Sequence, residues 1–188
     1  ADHIIEENKI LKESIQVGYE LAMNNRLVTF GISPSHPETG YGYIESFEEL
    51  SIKNISSEIK RFIEKPPIEL AEKLIKNKHY SWNSGIFMFK SSLIIKEIEN
   101  YHPEIIRFCR SSMKDKINDL DFQRISPEKF KECPNISIDI AVMENTKLGT
   151  VTQLKASWSD IGNWKTLWEK SEKDLKGNKQ KGKTLLMD

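Results

Sequence analysis

The chain has 188 residues, and its 28 lysines and arginines are balanced by 28 aspartates and glutamates. This length fits one or at most two domains, and zero net charge argues against a nucleic-acid-binding protein that relies on a basic surface. The two cysteines, Cys109 and Cys133, are too few for a disulfide framework and lack metal-type spacing. No signal peptide and no apolar run of membrane-spanning length is visible, so these features predict a cytoplasmic protein without membrane contacts.

The first part of the chain predicts a helix followed by three strands. Apolar residues recur at helical spacing over residues 7–25 and predict a helix whose apolar face is formed by Leu11, Ile15, Tyr19 and Ala22. The run LVTFGI at 27–32 has no polar alternation and predicts a strand covered on both faces. After a loop rich in proline and glycine, the segments YGYI at 41–44 and IKRFIE at 59–64 predict two paired strands.

The remainder of the chain alternates helices with strands. A helix is expected after Pro66 and Pro67, a strand at IFMF (86–89) and an amphipathic helix beyond it. The charged stretch 107–132 is interpreted as a solvated flank of helix and loop. There follow a short buried helix at 137–144, a strand at 151–156 and a helix at 164–169. The lysine- and glycine-rich segment after residue 171 is typical of a linker. This alternation indicates an α/β layer architecture.

A Glu-Lys pair closes the predicted strand at 59–64. The chain contains no HExxH motif and no CxxC pair, which disfavours zinc chemistry. In open α/β sheets ligands bind at strand ends, where the Lys65 ammonium can contact a phosphate and Glu64 can accept hydrogen bonds from sugar hydroxyls. The alternative is an exposed surface ion pair, which contributes little.

Two glycine-containing segments offer a second set of candidate binding residues. Gly40 and Tyr41 lie in TGYGY, and Asn83 lies in WNSG. Glycine lets a ligand approach the backbone, asparagine offers both a donor and an acceptor, and an aromatic face suits the C–H face of a sugar ring. The alternative interpretation is a hairpin turn and the first residues of a strand.

Two aspartates far apart in the sequence are candidate metal ligands. Asp2 stands near the first residue and Asp160 stands in WSDIGNW. Magnesium keeps several waters and takes one or two carboxylates together with substrate phosphates, so two such residues can suffice if they meet. Alternatively, Asp160 caps the following helix and Asp2 belongs to a frayed terminus.

Taken in order, several segments resemble the bacterial mannose-1-phosphate guanylyltransferases, also called GDP-mannose pyrophosphorylases, of the type often fused to a phosphomannose isomerase. The resemblance covers residues 1 to about 169, and the matching segments are ADHII, VTFGISPSHPETGYGYIE, RFIEKPP, YSWNSGIFMFKSS, SIDIAVMENT and SWSDIGNWKTLWE. It implies an α/β nucleotide-diphospho-sugar transferase fold, a Rossmann-like mixed sheet flanked by helices. The implied reaction converts mannose 1-phosphate and GTP to GDP-mannose and pyrophosphate, with magnesium, for polysaccharide biosynthesis.

The resemblance also implies roles for individual residues. Asp2 and Asp160 correspond to the family's metal-binding aspartates, and Lys65 corresponds to the lysine that contacts the sugar phosphate, so Lys65 and Asp160 are expected to act in catalysis. The residues expected in the sugar pocket are Gly40, Tyr41, Glu64, Lys65, Asn83 and Asp139.

The family's Gly-rich signature GGxGxRLWPLSR, which holds the GTP phosphates, has no match in these 188 residues. We therefore expect residues 1–170 to be the C-terminal, sugar-phosphate-binding part of an N-terminally truncated nucleotidyltransferase domain. Residues 171–188 are expected to be a linker and the start of a β-helical segment. Residues 1–188 alone should show little or no guanylyltransferase activity, and uncovered sheet edges should favour a homo-oligomer.

Two other functions stay open at this point. One is a related sugar-1-phosphate nucleotidyltransferase with another sugar or base, because FIEKPP and WNSG are shared in outline with such enzymes. The other is a non-catalytic sugar-phosphate-binding module that has kept the fold without the nucleotide loop. The segments TFGISPSHPETGYGYIE and SIDIAVME favour the mannose type.

Overall fold

The computed structural model describes residues 2–162, 164–180 and 182–184. In this part of the chain the strands are β1 (His3–Ile5), β2 (Leu27–Ile32), β3 (Tyr43–Ser46), β4 (Ser56–Ile63), β5 (Tyr80–Met88), β6 (Ile117–Asp119), β7 (Phe122–Arg124), β8 (Gly149–Gln153) and β9 (Trp158–Asp160). The helices are α1 (Asn8–Met23), α2 (Ile68–Leu74), α3 (Ser91–Tyr101), α4 (Pro103–Lys114), α5 (Pro127–Lys131) and α6 (Trp164–Glu169), with a π-helical turn at Asp139–Met143.

Five strands form a mixed sheet that closes on itself in the order β2-β5-β3-β4-β8. β2 and β8 pair in parallel, and the other pairs in the ring are antiparallel. Two further antiparallel pairs, β1 with β9 and β6 with β7, stand apart from this ring. The mixed α/β class is confirmed, and closure of the strands into a ring is a feature that the sequence pattern did not indicate.

The ring strands supply side chains to two hydrophobic clusters. Successive side chains of a strand point to opposite faces, and β3 accordingly places Ile44 in one cluster and Tyr43 in the other. The first cluster consists of Leu27, Ile44, Phe62, Ile94, Ala141, Val142, Met143 and Val151. The second consists of Phe30, Ile32, Tyr43, Ala71, Leu74, Trp82, Leu154 and Ala156. All six residues of β2 are buried, as predicted for a strand covered on both faces.

The predicted apolar face of α1 is only half correct. Ala22 is buried and Leu11 packs against the second cluster, but the other two predicted residues are not buried. Ile15 and Tyr19 are 39% and 53% exposed, whereas the buried residues of the helix are Ser14, Gly18 and Ala22. A Cβ atom on Gly18 would lie 2.8 Å from Cζ of Phe30. The helix therefore approaches the ring through its small residues, because a larger side chain at Gly18 would not fit.

Three other elements differ from the sequence predictions. The segment WNSG lies inside β5 and not before it. The charged stretch 107–132 contains the β6–β7 hairpin between α4 and α5, and the helix predicted at 137–144 is a π-helical turn.

The last segment of the chain has no regular element in its described part, residues 171–180 and 182–184. Residues 181 and 185–188 of the predicted linker lie outside the described residues, and the domain division at 170 stays a prediction. In the described ranges, no helix combines the length and apolarity needed to cross a membrane.

Candidate functional site

Residues from six separate segments meet around one open cavity of about 160 Å³. The loop before β3, the end of β4, the middle of β5, the π-helical turn and the β1–β9 pair all contribute to its wall. The lining residues are His3, Gly40, Tyr41, Gly42, Glu64, Lys65, Asn83, Ser84, Gly85, Asp139, Trp158 and Asp160. Most of them carry polar groups directed at a shared space, which is typical of a site for a small polar ligand.

Lys65 provides the positive charge of this cavity. Its Nζ lies 3.0 Å from Oε1 of Glu64, and the lysine side chain is 62% exposed whereas that of Glu64 is 16% exposed. The hydrogen bond from Lys65 to Glu64, together with the charges of Glu64 and Asp139, raises the pKa of Lys65. The ammonium therefore stays protonated at neutral pH and is accessible to an anionic ligand.

The backbone at Lys65 is strained. Its φ angle is +45°, in the left-handed region that costs a residue other than glycine about 1–3 kcal/mol. Lys65 stands two residues after the end of β4 and directly before Pro66. Such strain is concentrated at functional sites, where the surrounding structure holds a side chain in a required direction.

Gly42 allows Glu64 to reach the cavity. A Cβ atom at this position would lie 2.7 Å from Oε2 of Glu64 and 3.3 Å from the ring of Phe62. The carbonyl oxygen of Gly42 also accepts a 2.7 Å hydrogen bond from the backbone N–H of Asn83. The close approach of Glu64 explains the second glycine of TGYGY, whereas the sequence interpretation was that the glycines let a ligand approach the backbone.

Asn83 connects the ring of strands to the π-helical turn. Its Nδ2 donates to Oδ1 of Asp139 at 2.9 Å, and its Oδ1 accepts from the Thr29 hydroxyl at 2.7 Å. Asn83 is 8% exposed. A buried amide with partners on both sides holds a fixed orientation, so Asn83 and Asp139 form a rigid polar wall.

Tyr41 and Trp158 form the aromatic part of the cavity wall. The ring centroid of Tyr41 lies 5.1 Å from that of Trp158 and 5.4 Å from that of Trp82, with edge-to-face geometry. Burial, and then the charges of Asp160 and Glu38, raise the pKa of Tyr41. The phenol is therefore neutral at physiological pH, and the group offers apolar faces of the kind that pack against a sugar ring.

The two candidate metal ligands lie at the end of the β1–β9 pair. Asp160 faces His3 in the strand register, with His3 Nε2 3.9 Å from Asp160 Oδ1. The backbone carbonyl of Asp2 accepts a 2.8 Å hydrogen bond from the N–H of Ile161, so the two aspartates are near neighbours across the strands. Asp160 lines the cavity, whereas Asp2 is exposed and is not among the lining residues.

These carboxylates fit the donor chemistry of magnesium. That ion binds through one or two carboxylates and completes its shell with water and substrate phosphate oxygens. Asp160 supplies a carboxylate on the cavity wall and Asp2 stands beside it. No group of three or more histidine, cysteine, aspartate or glutamate side chains that could hold a metal is found among the residues that the structure describes.

Seven of the eight candidate residues identified from the sequence therefore line one cavity, and Asp2 lies next to it; their roles stay predictions. Sequence reasoning did not select three lining residues that carry side chains, His3, Ser84 and Trp158. Ser84 follows Asn83 in WNSG, whereas His3 and Trp158 belong to the β1–β9 pair, so only the pairing of segments from opposite ends of the chain could have indicated those two. It also missed the buried contact from Thr29 to Asn83, since a threonine in LVTFGI is typical of a strand interior.

Comparison with known proteins identifies the class of protein. The nucleotidyl transferase family model matches residues 1–177, so the chain belongs to the nucleotidyl transferase family. This agrees with the mixed α/β fold and with a cavity that combines a cation, carboxylates and aromatic faces.

Individual relatives of known name show which members of the family this chain resembles. A mannose-1-phosphate guanylyltransferase of Escherichia coli is 41% identical over 180 residues, 95% of this chain and 39% of the relative. A mannose-1-phosphate guanylyltransferase of Salmonella typhimurium is 43% identical over 182 residues, 97% of this chain and 38% of the relative. The alginate biosynthesis protein AlgA of Pseudomonas syringae is 37% identical over 188 residues, 100% of this chain and 39% of the relative. The chain thus spans about two fifths of the length of these relatives.

Two solved structures are also similar to this chain. A mannose-6-phosphate isomerase from Helicobacter pylori matches with a TM-score of 0.77 and 32% identity, covering 85% of this chain and 62% of that chain. A structure described as mannose-1-phosphate geranyltransferase, from Thermus thermophilus, matches with a TM-score of 0.74 and 27% identity, covering 89% of this chain and 47% of that chain.

Proposed function

We propose that the chain forms the sugar-phosphate-binding part of a mannose-1-phosphate guanylyltransferase, which makes GDP-mannose and pyrophosphate from mannose 1-phosphate and GTP. One observation carries the proposal: Lys65, Glu64, Asn83, Asp139 and Asp160 line a single cavity. The names of relatives about 40% identical to the chain agree with it. Because the chain spans only part of those relatives, the activity of the whole protein belongs to the proposal. We also propose a cytoplasmic location, which the cysteine usage favours.

Each functional group of a sugar phosphate has a matching residue in the cavity. Lys65 presents a charged and largely exposed ammonium to the phosphate. Glu64 and Asp139 accept hydrogen bonds from sugar hydroxyls, and Asn83 donates one. The Tyr41–Trp158 pair packs against the C–H face of the ring. Because Lys65 and Asp139 both line one cavity of about 160 Å³, the phosphate and the hydroxyls of one small ligand can contact both residues together.

The proposed reaction needs positioning and charge neutralisation more than proton transfer. The second pKa of a phosphate monoester is about 6, so a mannose 1-phosphate oxygen is already ionised when it attacks the α-phosphorus of GTP. Attacking and leaving groups lie in line, and a cation that neutralises the gathered negative charge lowers the barrier. Lys65 does this on the sugar phosphate. Asp160 and Asp2 would hold magnesium, which supplies further neutralisation of the phosphate oxygens when bound.

The proposal is tested by calorimetric titration of the 188-residue chain with mannose 1-phosphate, in the presence of magnesium. We expect saturable binding with one site per chain. Mannose, which lacks the phosphate, should bind at least about tenfold more weakly, because a charge-assisted hydrogen bond contributes about 1.5–3 kcal/mol.

Glucose 1-phosphate, the matched ligand with one inverted hydroxyl, distinguishes the proposal from its main alternative. Weaker binding of glucose 1-phosphate supports the mannose enzyme. Tighter binding of glucose 1-phosphate would assign the chain to another sugar nucleotidyltransferase. Equal and weak binding of all three compounds would contradict a sugar-phosphate site.

A further inference from the structure

Thr29 is a buried polar residue whose only neighbours along β2 are apolar. It stands in LVTFGI, the residue is 0% exposed, and its hydroxyl donates to Asn83 Oδ1 at 2.7 Å, with the Ile86 carbonyl oxygen as a longer second acceptor at 3.2 Å. Valine has nearly the same shape and needs no hydrogen-bond partner. A threonine at this position therefore calls for a reason connected with its hydroxyl.

The partners of Asn83 determine which way its amide points. Gly85 N–H, which can only donate, lies 3.2 Å from Oδ1 of Asn83, and the carboxylate of Asp139, which can only accept when ionised, lies 2.9 Å from Nδ2. Rotating the amide by 180° would place donor against donor at Gly85 and acceptor against acceptor at Asp139. The Thr29 hydroxyl adds a second and shorter donor to Oδ1, so it reinforces the one orientation that satisfies every group.

A bulge in β5 brings these groups together. Thr29 pairs with Phe87 and Gly31 pairs with Asn83, so the single residue between them on β2 lies opposite three residues of β5, 84–86. The extra residues include Gly85, whose φ angle is +71°, a conformation that favours glycine. β-bulges redirect side chains next to functional sites. This one places the Gly85 N–H and the Thr29 hydroxyl on the same oxygen of Asn83.

We propose that Thr29 is a positioning residue for ligand recognition in the cavity. By donating to Oδ1, it keeps that oxygen away from the ligand, so that Asn83 faces a bound sugar only as an N–H donor beside the carboxylate of Asp139. A neighbouring donor and acceptor suit two adjacent hydroxyl groups of a pyranose ring. The inference rests on the proposed function for its ligand, mannose 1-phosphate, and it adds a residue outside the cavity wall.

The test compares three variants of the 188-residue chain. T29V removes the hydroxyl and keeps the shape, and T29S keeps the hydroxyl. T152V is the matched control: Thr152 is 1% exposed, lies on the neighbouring strand β8, and its Oγ1 has no hydrogen-bond partner among the described residues. Thermal melting followed by circular dichroism establishes that each variant folds. If T29V does not fold, T29A, which also lacks the hydroxyl, is used in its place.

We expect T29V to bind mannose 1-phosphate about three- to tenfold more weakly, the loss of one hydrogen bond, whereas T29S and T152V bind like the wild type. A second measurement is independent of the ligand: the side-chain amide signal of Asn83 in ¹⁵N nuclear magnetic resonance spectra should shift, and exchange faster with water, in T29V alone.

Unchanged affinity of T29V, or an Asn83 signal that matches the wild type, overturns the inference. If the wild type does not bind mannose 1-phosphate, the proposed function fails, and the Asn83 signal alone decides whether Thr29 positions the amide. The two failures are therefore distinguishable.

Discussion

Replacing Lys65 with glutamine is expected to weaken the binding of mannose 1-phosphate by about tenfold to a hundredfold, because a charge-assisted hydrogen bond to phosphate is lost. Glutamine keeps a long polar side chain and pays the same backbone strain at φ +45°, so the change removes the charge alone. Glu64, 16% exposed and 3.0 Å from Lys65 Nζ, would lose its cation and repel the phosphate, which increases the effect. Calorimetric titration measures both affinities.

Lys60 supplies the matched control for this change. It lies on β4, the strand that precedes Lys65, its Nζ is 2.7 Å from Oε1 of Glu45, and its side chain is 53% exposed. It is therefore a half-exposed lysine paired with a glutamate, like Lys65, but it does not line the cavity. K60Q should bind mannose 1-phosphate like the wild type. An equal loss of affinity for mannose 1-phosphate in K60Q and K65Q, or an unchanged affinity in K65Q, would contradict the role of Lys65.

The largest effect on stability is expected from Gly31→Ala. A Cβ atom there would lie 2.6 Å from Oγ of Ser81 and 2.7 Å from Cγ2 of Val151. Val151 is fully buried in β8, so the strands themselves must move to make room. Overpacking of this kind costs about 1–3 kcal/mol, which for a chain of this size lowers the melting temperature by about 2–12 °C. Thermal and urea unfolding followed by circular dichroism measure the loss.

Gly40→Ala is the control for the steric argument. Its Cβ atom would meet only the Glu38 carboxylate, 3.2 Å away at Oε1, and this half-exposed side chain can shift without moving the backbone. The free energy of unfolding should change by less than about 0.5 kcal/mol. A melting temperature of G31A equal to that of the wild type, or an equal loss in G40A, would show that the ring does not pack as tightly as described.

The local hydrophobic pattern of the sequence predicted most helices and strands, but it did not predict which face of α1 packs against the ring of strands. Hydrophobic periodicity selected Ala22, which is buried, but it also selected Ile15 and Tyr19, which are exposed, and it did not detect the buried Ser14 and Gly18. Close approach of a helix to a sheet selects small side chains, and a rule that counts apolar residues does not detect them. The contrast with β2 is instructive: its uninterrupted apolar run predicted complete burial, which the structure confirms.

The cavity could be predicted residue by residue but not as an arrangement. Glu64, Lys65 and Asn83 stood out because polar groups at strand ends and beside glycines are unusual for a core. His3 and Trp158 did not, because they join the wall through the pairing of β1 with β9, two segments 150 or more residues apart. The contact from Thr29 to Asn83 depends on the bulge in β5, which likewise has no local signal. In both cases the contact is determined by long-range strand register and not by residue type, so the sequence could not predict it.

The central claim is that the cavity bordered by Lys65 and Asp139 binds mannose 1-phosphate. A crystal structure of the chain with mannose 1-phosphate and magnesium tests it most directly. We predict the phosphate within hydrogen-bond distance of Lys65 Nζ, with the sugar hydroxyls on Glu64, Asn83 and Asp139. Mannose 1-phosphate bound at another surface, with this cavity holding only water at saturating ligand, would contradict the claim.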